Sequence, residues 1–169
     1  MGKLIVDALE CIYSKRETRE FKNEEIPEDL VKKILEAGRL AGSAKNRQPW
    51  NFILIKDKKR LLELSKFGYY AQHLANASFG LVIVINNEYI HDSFDAGRAA
   101  QNMMLAAHSM GIGSCPITLH KEEEAKEFLG IPKDKRIQIC LAFGYPLYKK
   151  RKGKVKRKSL EEILHLERW

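Results

Sequence analysis

The chain has 169 residues, of which 44% are hydrophobic and 31% are charged, and its formal net charge at pH 7 is +8. That length suits a single domain with a real hydrophobic core. No apolar run approaches the roughly 20 residues that a membrane-spanning helix needs, and the first residues lack a signal-peptide cleavage site. We therefore expect one soluble domain over residues 1–169, without a membrane partner and located in the cytoplasm.

The three cysteines, Cys11, Cys115 and Cys140, are far apart and form no C-x-x-C pair. This pattern argues against a disulfide scaffold or a structural zinc site and predicts a reducing compartment. The five histidines are isolated and show no metal-ligand spacing, so no metal site is predicted.

The positive charge is concentrated in residues 149–158, which read KKRKGKVKRK and contain eight basic residues and no acid. The rest of the chain then holds 22 basic and 22 acidic residues and is formally neutral. Such a run can bind nucleic acid or another polyanion, but this one lacks interleaved aromatic residues on which bases stack. We therefore expect a solvated basic tail, with one or two residues contacting a phosphate, rather than a nucleic-acid partner.

In chain order, hydrophobic periodicity and capping signals predict helices over residues 3–13, 27–41, 58–66, 92–110 and 121–129, with short helical turns at 69–76. Residues 14–23 are highly charged and predict an extended connector. Strands are predicted over residues 51–56, 81–85 and 137–145, with a strand or loop at 114–118. The run 81–85 is uninterruptedly apolar, which predicts burial on both faces.

Two helix ends carry further signals. Asp92 or Ser93 can cap the alanine-rich helix 92–110, whose small residues would let another helix approach closely. Ser159 and Glu162 have the spacing of a capping box, which predicts a short final helix. The alternation of strands and helices by itself predicts a three-layer α/β domain with a parallel sheet.

Common nucleotide and hydrolase motifs are absent. Gly111-x-Gly113 leaves a helix and enters a strand, which reverses the order of a dinucleotide-binding loop, and no third glycine follows. The sequence contains no G-x-x-x-x-G-K-[ST] phosphate loop and no G-x-S-x-G nucleophile turn. The sequence therefore predicts no dinucleotide-binding loop, no P-loop nucleotide site and no serine-hydrolase site of this type.

Three polar segments remain, and their side chains suit a phosphate attached to a flat heteroaromatic ring. Guanidinium and ammonium groups bind phosphate, and side-chain amides match the donors and acceptors of a flavin imide edge. Taken singly, the basic segments could be solvated pairs, and residues 43–48 could be an ordinary helix-to-strand loop. The candidates are Lys15, Arg16 and Arg19 before Phe21; Ser43, Asn46 and Gln48 before Pro49-Trp50; and Lys156 and Arg157 in the tail.

Four sequence blocks occur in an order that resembles the nitroreductase-like flavin oxidoreductases. Residues 15–21 (KRETREF) resemble the family's R-R-S-x-R-x-F block, and residues 42–50 (GSAKNRQPW) resemble its P-S-x-x-N-x-Q-P-W block. Residues 95–107, followed by GIGSC at 111–115, are similar to its long interface helix and exit. Residues 142–146 (AFGYP), followed by a basic tail, resemble its last strand and phosphate-binding end.

The resemblance implies an α+β fold with a mostly antiparallel, four-stranded central sheet flanked by helices, in place of the parallel sheet. It also implies a homodimer with FMN at the subunit interface. The helix 92–110 would pack against its twofold mate. Residues 149–169, the basic tail and the short final helix, would form an arm exchanged with the partner subunit.

The resemblance also assigns positions around FMN. Lys15, Arg16 and a tail residue, Lys156 or preferably Arg157, would hold the phosphate. Glu17 stands where the family often has serine, so its carboxylate is expected to turn away and leave its backbone N–H as the donor. Arg19 would lie beside the pyrimidine edge, where a cation stabilises reduced flavin. The remaining positions would contact the ribityl chain or the ring: Gly42, Ser43, Asn46, Gln48, Pro116 and Ile117.

The implied function is an FMN-dependent NAD(P)H oxidoreductase that passes two electrons to a nitroaromatic, a quinone or a similar small aromatic acceptor by a ping-pong mechanism. No catalytic side-chain acid or base is predicted, and NADH and NADPH remain equal alternatives. Phe67, Tyr69 and Tyr70 are candidates for the acceptor pocket. The alternative from another class is a non-enzymatic module that binds a polyanion through residues 149–158.

Overall fold

The computed structural model describes residues 7–148 and 155–169. Its helices are α1 (Ala8–Ser14), α2 (Glu28–Arg39), α3 (Lys58–Ser65), α4 (Asp92–Ser109) and α5 (Glu122–Leu129). Its strands are β1 (Trp50–Ile55), β2 (Phe79–Ile85), β3 (Gly113–Ile117) and β4 (Arg136–Gly144). Short 3₁₀ turns lie at Ala44–Asn46 and Gln72–Asn76. Within the described ranges, no helix combines the length and the hydropathy needed to cross a membrane.

The four strands form one sheet in the order β1-β2-β4-β3, and each neighbouring pair is antiparallel. The α+β fold with an antiparallel sheet, implied by the family resemblance, is confirmed. The parallel sheet predicted from the alternation of elements is wrong. An unbroken apolar strand is typical of parallel sheets, but β2 is apolar because helices cover both faces of this antiparallel sheet.

The hydrophobic core has two parts, one on each face of the sheet. Leu81, Ile83 and Ile85 of β2 pack into the part that contains α2 and α4. Val82 and Val84 face the other part, to which α3 and α5 contribute. Every residue of β2 is buried, which confirms the prediction for residues 81–85.

Helices α2 and α4 pack closely on one face of the sheet. Gly38 permits this approach, because a Cβ atom there would overlap Cε of Met103. The predicted central position of α4 is therefore confirmed. Its packing against a twofold mate remains a prediction.

Two predicted helix ends differ from the structure. Asp92 does not cap α4; its Oδ2 accepts the backbone N–H groups of Glu88 and Tyr89 at 2.9 and 3.1 Å and closes the preceding turn. The capping-box bonds between Ser159 and Glu162 are present at 2.7 and 3.3 Å, but only a single turn follows them. The predicted final helix is therefore wrong, because residues 155–169 are exposed and lack the packing that stabilises short helices.

Candidate functional site

The connector after α1 is fixed along the edge strand β3. Glu17 forms an isolated parallel bridge with Ser114, and the Thr18 N–H donates to the Ser114 carbonyl at 2.9 Å. Gly113 lets the two segments touch, because a Cβ atom there would lie 2.7 Å from Cβ of Thr18. Further along, Phe21 pairs with Pro146 just after β4. The basic residues of the connector are thus attached to the sheet in spite of their high charge.

A cleft of about 600 Å³ opens beside this connector, a size within the ordinary range for small-molecule sites. Three arginines line it, and they come from the connector and the tail: Arg16, Arg19 and Arg157. Glu17, Glu20 and His108 also line it. The structure therefore brings together four of the predicted site residues, while Lys156 is exposed and does not line the cleft.

Arg16 and Arg19 present their charges differently. Nη1 of Arg16 donates to the carbonyls of Tyr13 and Lys15, both at 2.7 Å, so the backbone orients this guanidinium. The charge of Arg19 reaches neighbouring groups. Burial lowers the pKa of His73 and Arg19 lowers it further, whereas burial raises the pKa of Cys115 and Arg19 opposes that rise. Arg19 is therefore a source of positive potential for anything bound near β3.

Lys15 is buried and paired. Its side chain is 8% exposed, and its Nζ donates to Oε1 of Glu17 at 2.5 Å and lies 3.7 Å from Sδ of Met104. The Glu17 carboxylate thus faces Lys15, since a buried ammonium group needs an anionic partner; its direction relative to a bound phosphate stays a prediction. Glu17 lines the cleft, whereas Lys15 does not.

His108, in the last turn of α4, also lines the cleft. Its Nε2 lies 2.9 Å from Oγ of Ser14, and burial lowers its pKa, as do Lys15 and Arg16. His108 is therefore neutral near pH 7. Sequence reasoning treated this histidine as isolated, since its partner precedes it by 94 residues.

The loop after α2 has a constrained backbone. Lys45, Asn46 and Gln48 have φ values of 52°, 55° and 50°, a left-handed conformation that is uncommon for residues other than glycine and clusters at functional sites. Oγ of Ser43 accepts the Gln48 N–H at 2.9 Å and closes the loop. The side chains of Asn46 and Gln48 are exposed. The loop thus presents two amides on a fixed backbone.

Asp95, a residue that sequence reasoning did not select for the site, attaches this loop to α4. It is 2% exposed, and its Oδ2 accepts the Ala44 N–H at 2.8 Å. Its other oxygen pairs with Nη1 of Arg98 at 3.5 Å. Gly42 leaves room for the Arg98 guanidinium at the start of the loop, because a Cβ atom there would overlap Nη2 of Arg98 unless that side chain moved. The signal in the sequence was a second acid, after Asp92, in the first turn of an alanine-rich helix.

The loop and the cleft are separate within one chain. Ser43, Asn46 and Gln48 do not line the cleft, and Gly42 lines a different hollow of about 420 Å³ on the outer face of α4. Pro116 and Ile117 lie in β3 and line neither cavity. One chain therefore carries a cationic half-site and a separate amide-bearing loop.

Comparison with known proteins gives consistent matches over nearly the whole chain. The Nitroreductase family model matches residues 12–89 and 68–145. A relative from Archaeoglobus fulgidus, named for NADH dehydrogenase and NAD(P)H nitroreductase activity, is 32% identical, and the match covers 96% of this chain and 99% of the relative. An NADPH-flavin oxidoreductase from Vibrio harveyi is 27% identical, with 83% of this chain and 66% of that protein covered. The solved structure of an FMN-dependent nitroreductase from Clostridium difficile superposes with a TM-score of 0.86 at 26% identity, covering 94% of this chain and 98% of that one.

Proposed function

This chain belongs to the nitroreductase family, and we propose that it is an FMN-dependent NAD(P)H oxidoreductase. The observation that carries the proposal is the convergence of Arg16, Arg19 and Arg157 on one cleft beside the sheet. The relatives named for NAD(P)H nitroreductase and NADPH-flavin oxidoreductase activity support the same reaction class.

The residues present fit FMN at both ends. Guanidinium groups are the preferred partners of phosphate because they donate in a planar fork, and three of them line the cleft. The exposed amides of Asn46 and Gln48 can each donate and accept hydrogen bonds at the polar edge of a flavin ring. When bound, FMN supplies two-electron transfer from a nicotinamide to a nitroaromatic, quinone or similar acceptor, which we propose follows a ping-pong sequence.

The chain's own residues bind and tune rather than transfer protons. Arg16 and Arg157, which line the cleft, would hold the phosphate, whereas Lys156 does not line it. Arg19 would place positive charge beside the pyrimidine edge, which favours the reduced form of the cofactor. No side chain is assigned as a catalytic acid or base.

We further propose that a second copy of the chain completes the site. Ser43, Asn46 and Gln48 do not line the cleft of their own chain, which supports a site in which the amide loop comes from a partner. The tail supports this arrangement, because Leu166 and Trp169 are 77% and 100% exposed and need an apolar cover. A homodimer with an exchanged C-terminal arm provides that cover.

Two further points concern the cellular location of the enzyme and the alternative function as a polyanion-binding module. Its three cysteines are buried and unpaired, which fits a reducing compartment, and we place the enzyme in the cytoplasm. The polyanion-binding module rested on residues 149–158, of which 149–154 lie outside the described residues. Family membership favours the enzyme.

The test is reconstitution with FMN. The purified protein, stripped of cofactor, should bind one FMN per subunit and quench its fluorescence, and bound FMN should bleach anaerobically with NADH or NADPH. Arg16→Gln should weaken FMN binding, whereas Lys33→Gln, on the exposed surface of α2, should not. A protein that neither retains nor takes up FMN would refute the proposal.

A further inference from the structure

We propose that the Glu17 carboxylate is an internal competitor for the flavin phosphate, since it occupies the Lys15 ammonium group until a phosphate displaces it. This inference rests on the proposed function. It makes Glu17 the residue that sets how strongly the site distinguishes FMN from riboflavin, its phosphate-free counterpart.

The first step is the state of Lys15. Its side chain is 8% exposed and its Nζ is 2.5 Å from Oε1 of Glu17, so the ammonium group is already engaged by a carboxylate. Among residues 7–148 and 155–169, the other hydrogen-bonding neighbour of this Nζ is the weakly accepting sulfur of Met104 at 3.7 Å. An incoming phosphate therefore meets a lysine whose charge is neutralised.

The second step is that the ion pair is incompletely satisfied. Oε2 of Glu17 is buried and has no hydrogen-bond partner among the described residues. A buried acceptor without a partner is costly, so the paired arrangement carries a cost that a carboxylate rotated into water would not have. The side chain is 39% exposed, which leaves it room to rotate towards solvent.

The third step is that only the side chain can move. The backbone of Glu17 forms a β-bridge with Ser114, and the N–H of the next residue, Thr18, donates to the Ser114 carbonyl at 2.9 Å. Because the connector is held on β3, a phosphate cannot bring Lys15 with it by shifting the loop. It must exchange places with the carboxylate.

The fourth step is the charge balance of the cleft. A phosphate group carries about −1.5 to −2 charges at pH 7. Arg16, Arg19 and Arg157 attract it, while Glu17 both repels it and withholds a fourth cation. The phosphate therefore contributes less to FMN binding than it would if every basic residue at the site were free to bind it.

The experiment compares Glu17→Gln with the unaltered chain in titrations with FMN, riboflavin and inorganic phosphate. Glutamine keeps the shape and removes the charge. The Glu17 side chain is 39% exposed, and in a water-like dielectric a carboxylate about 4 Å from a phosphate of about −1.5 to −2 charges is repelled enough for about a tenfold effect on affinity. We expect FMN to bind about tenfold more tightly to Glu17→Gln, phosphate to bind more tightly, and riboflavin to change less than about twofold.

Glu20→Gln is the matched control, because Glu20 also lines the cleft and has no ion pair with Lys15 among the described residues. It reports the general effect of removing one negative charge and should tighten FMN binding clearly less. Glu17→Ala, a second variant with the charge removed, should reproduce the effect if the glutamine variant folds poorly.

Unchanged or weaker FMN binding in both Glu17 variants would overturn the inference, since Glu17 would then orient Lys15 for the phosphate. An equal gain in Glu20→Gln, or an equal gain for riboflavin, would overturn it as well. If the unaltered chain binds no FMN, the proposed function fails, and the phosphate titrations still decide whether Glu17 competes.

Discussion

Replacing Asp95 with alanine should detach the loop at residues 43–48 from α4. The substitution leaves the Ala44 N–H without its carboxylate partner at 2.8 Å and removes the contact with Arg98 at 3.5 Å. A hydrogen bond to a charged group is worth about 1.5–3 kcal/mol. The pair with Arg98, whose side chain is 46% exposed, adds less than about 1 kcal/mol. For a chain of this length, a loss of about 2–3 kcal/mol lowers Tm by roughly 5–10 °C.

Asp29→Ala is the control, because Asp29 lies in the first turn of α2 as Asp95 does in α4. Both variants lose a favourable interaction with the helix dipole, but the Asp29 carboxylate is exposed, and its ion pair within the described part of the chain is with Lys33. Its Tm should fall by about 1–3 °C. Trypsin should also cleave after Lys45 or Arg47 faster in Asp95→Ala than in the control. Equal Tm values and equal cleavage rates would refute the role of Asp95 as the anchor of the loop.

Two further predictions concern charge. Burial, Lys15 and Arg16 lower the pKa of His108 in the folded chain. The neutral imidazole therefore stabilises the fold at pH values above the unfolded-state pKa of about 6.5. This stability is lost as the pH falls through the lower folded-state pKa. Tm should thus fall less between pH 7 and 5.5 in His108→Gln than in the unaltered chain; identical slopes would contradict this. Arg19→Ala should bind FMN more weakly and lower its reduction potential in a dye-linked titration. An unchanged reduction potential would show that Arg19 does not lie beside the flavin ring.

Most helix and strand boundaries were predicted to within a few residues, because the residues that begin or end an element lie next to it in the sequence. Gly130 ends α5 in the left-handed conformation, with φ of 68°, as its position after an apolar helix indicates. The relative direction of neighbouring strands could not be predicted from the sequence of any one strand. β2 has the same apolar run whether its neighbours are parallel or antiparallel, and only the family resemblance predicted the observed sheet.

The candidate site was predictable where one segment supplies the chemistry, and less so where two segments meet. The basic connector and the amide loop stand out in the sequence. The Ala44–Asp95 bond joins residues 51 positions apart and the Ser14–His108 contact joins residues 94 apart, so no spacing rule finds either. The Lys15–Glu17 pair is local in sequence, but its burial against Met104, 89 positions away, depends on how α4 packs.

The position of Arg157 limits how much of the tail a second copy can receive. Arg157 and Val155 line the cleft of their own chain, so in the proposed dimer the arginines for one phosphate would come from one subunit. Within residues 155–169, Val155 is exposed before Arg157, and the larger exposed apolar side chains, including Leu160, Leu166 and Trp169, come after it. An exchanged arm that begins after the arginine keeps the phosphate contacts within one chain and still covers these side chains. The proposed dimer therefore divides the work: each chain holds a phosphate with its own arginines, and its partner supplies the amide loop for the ring.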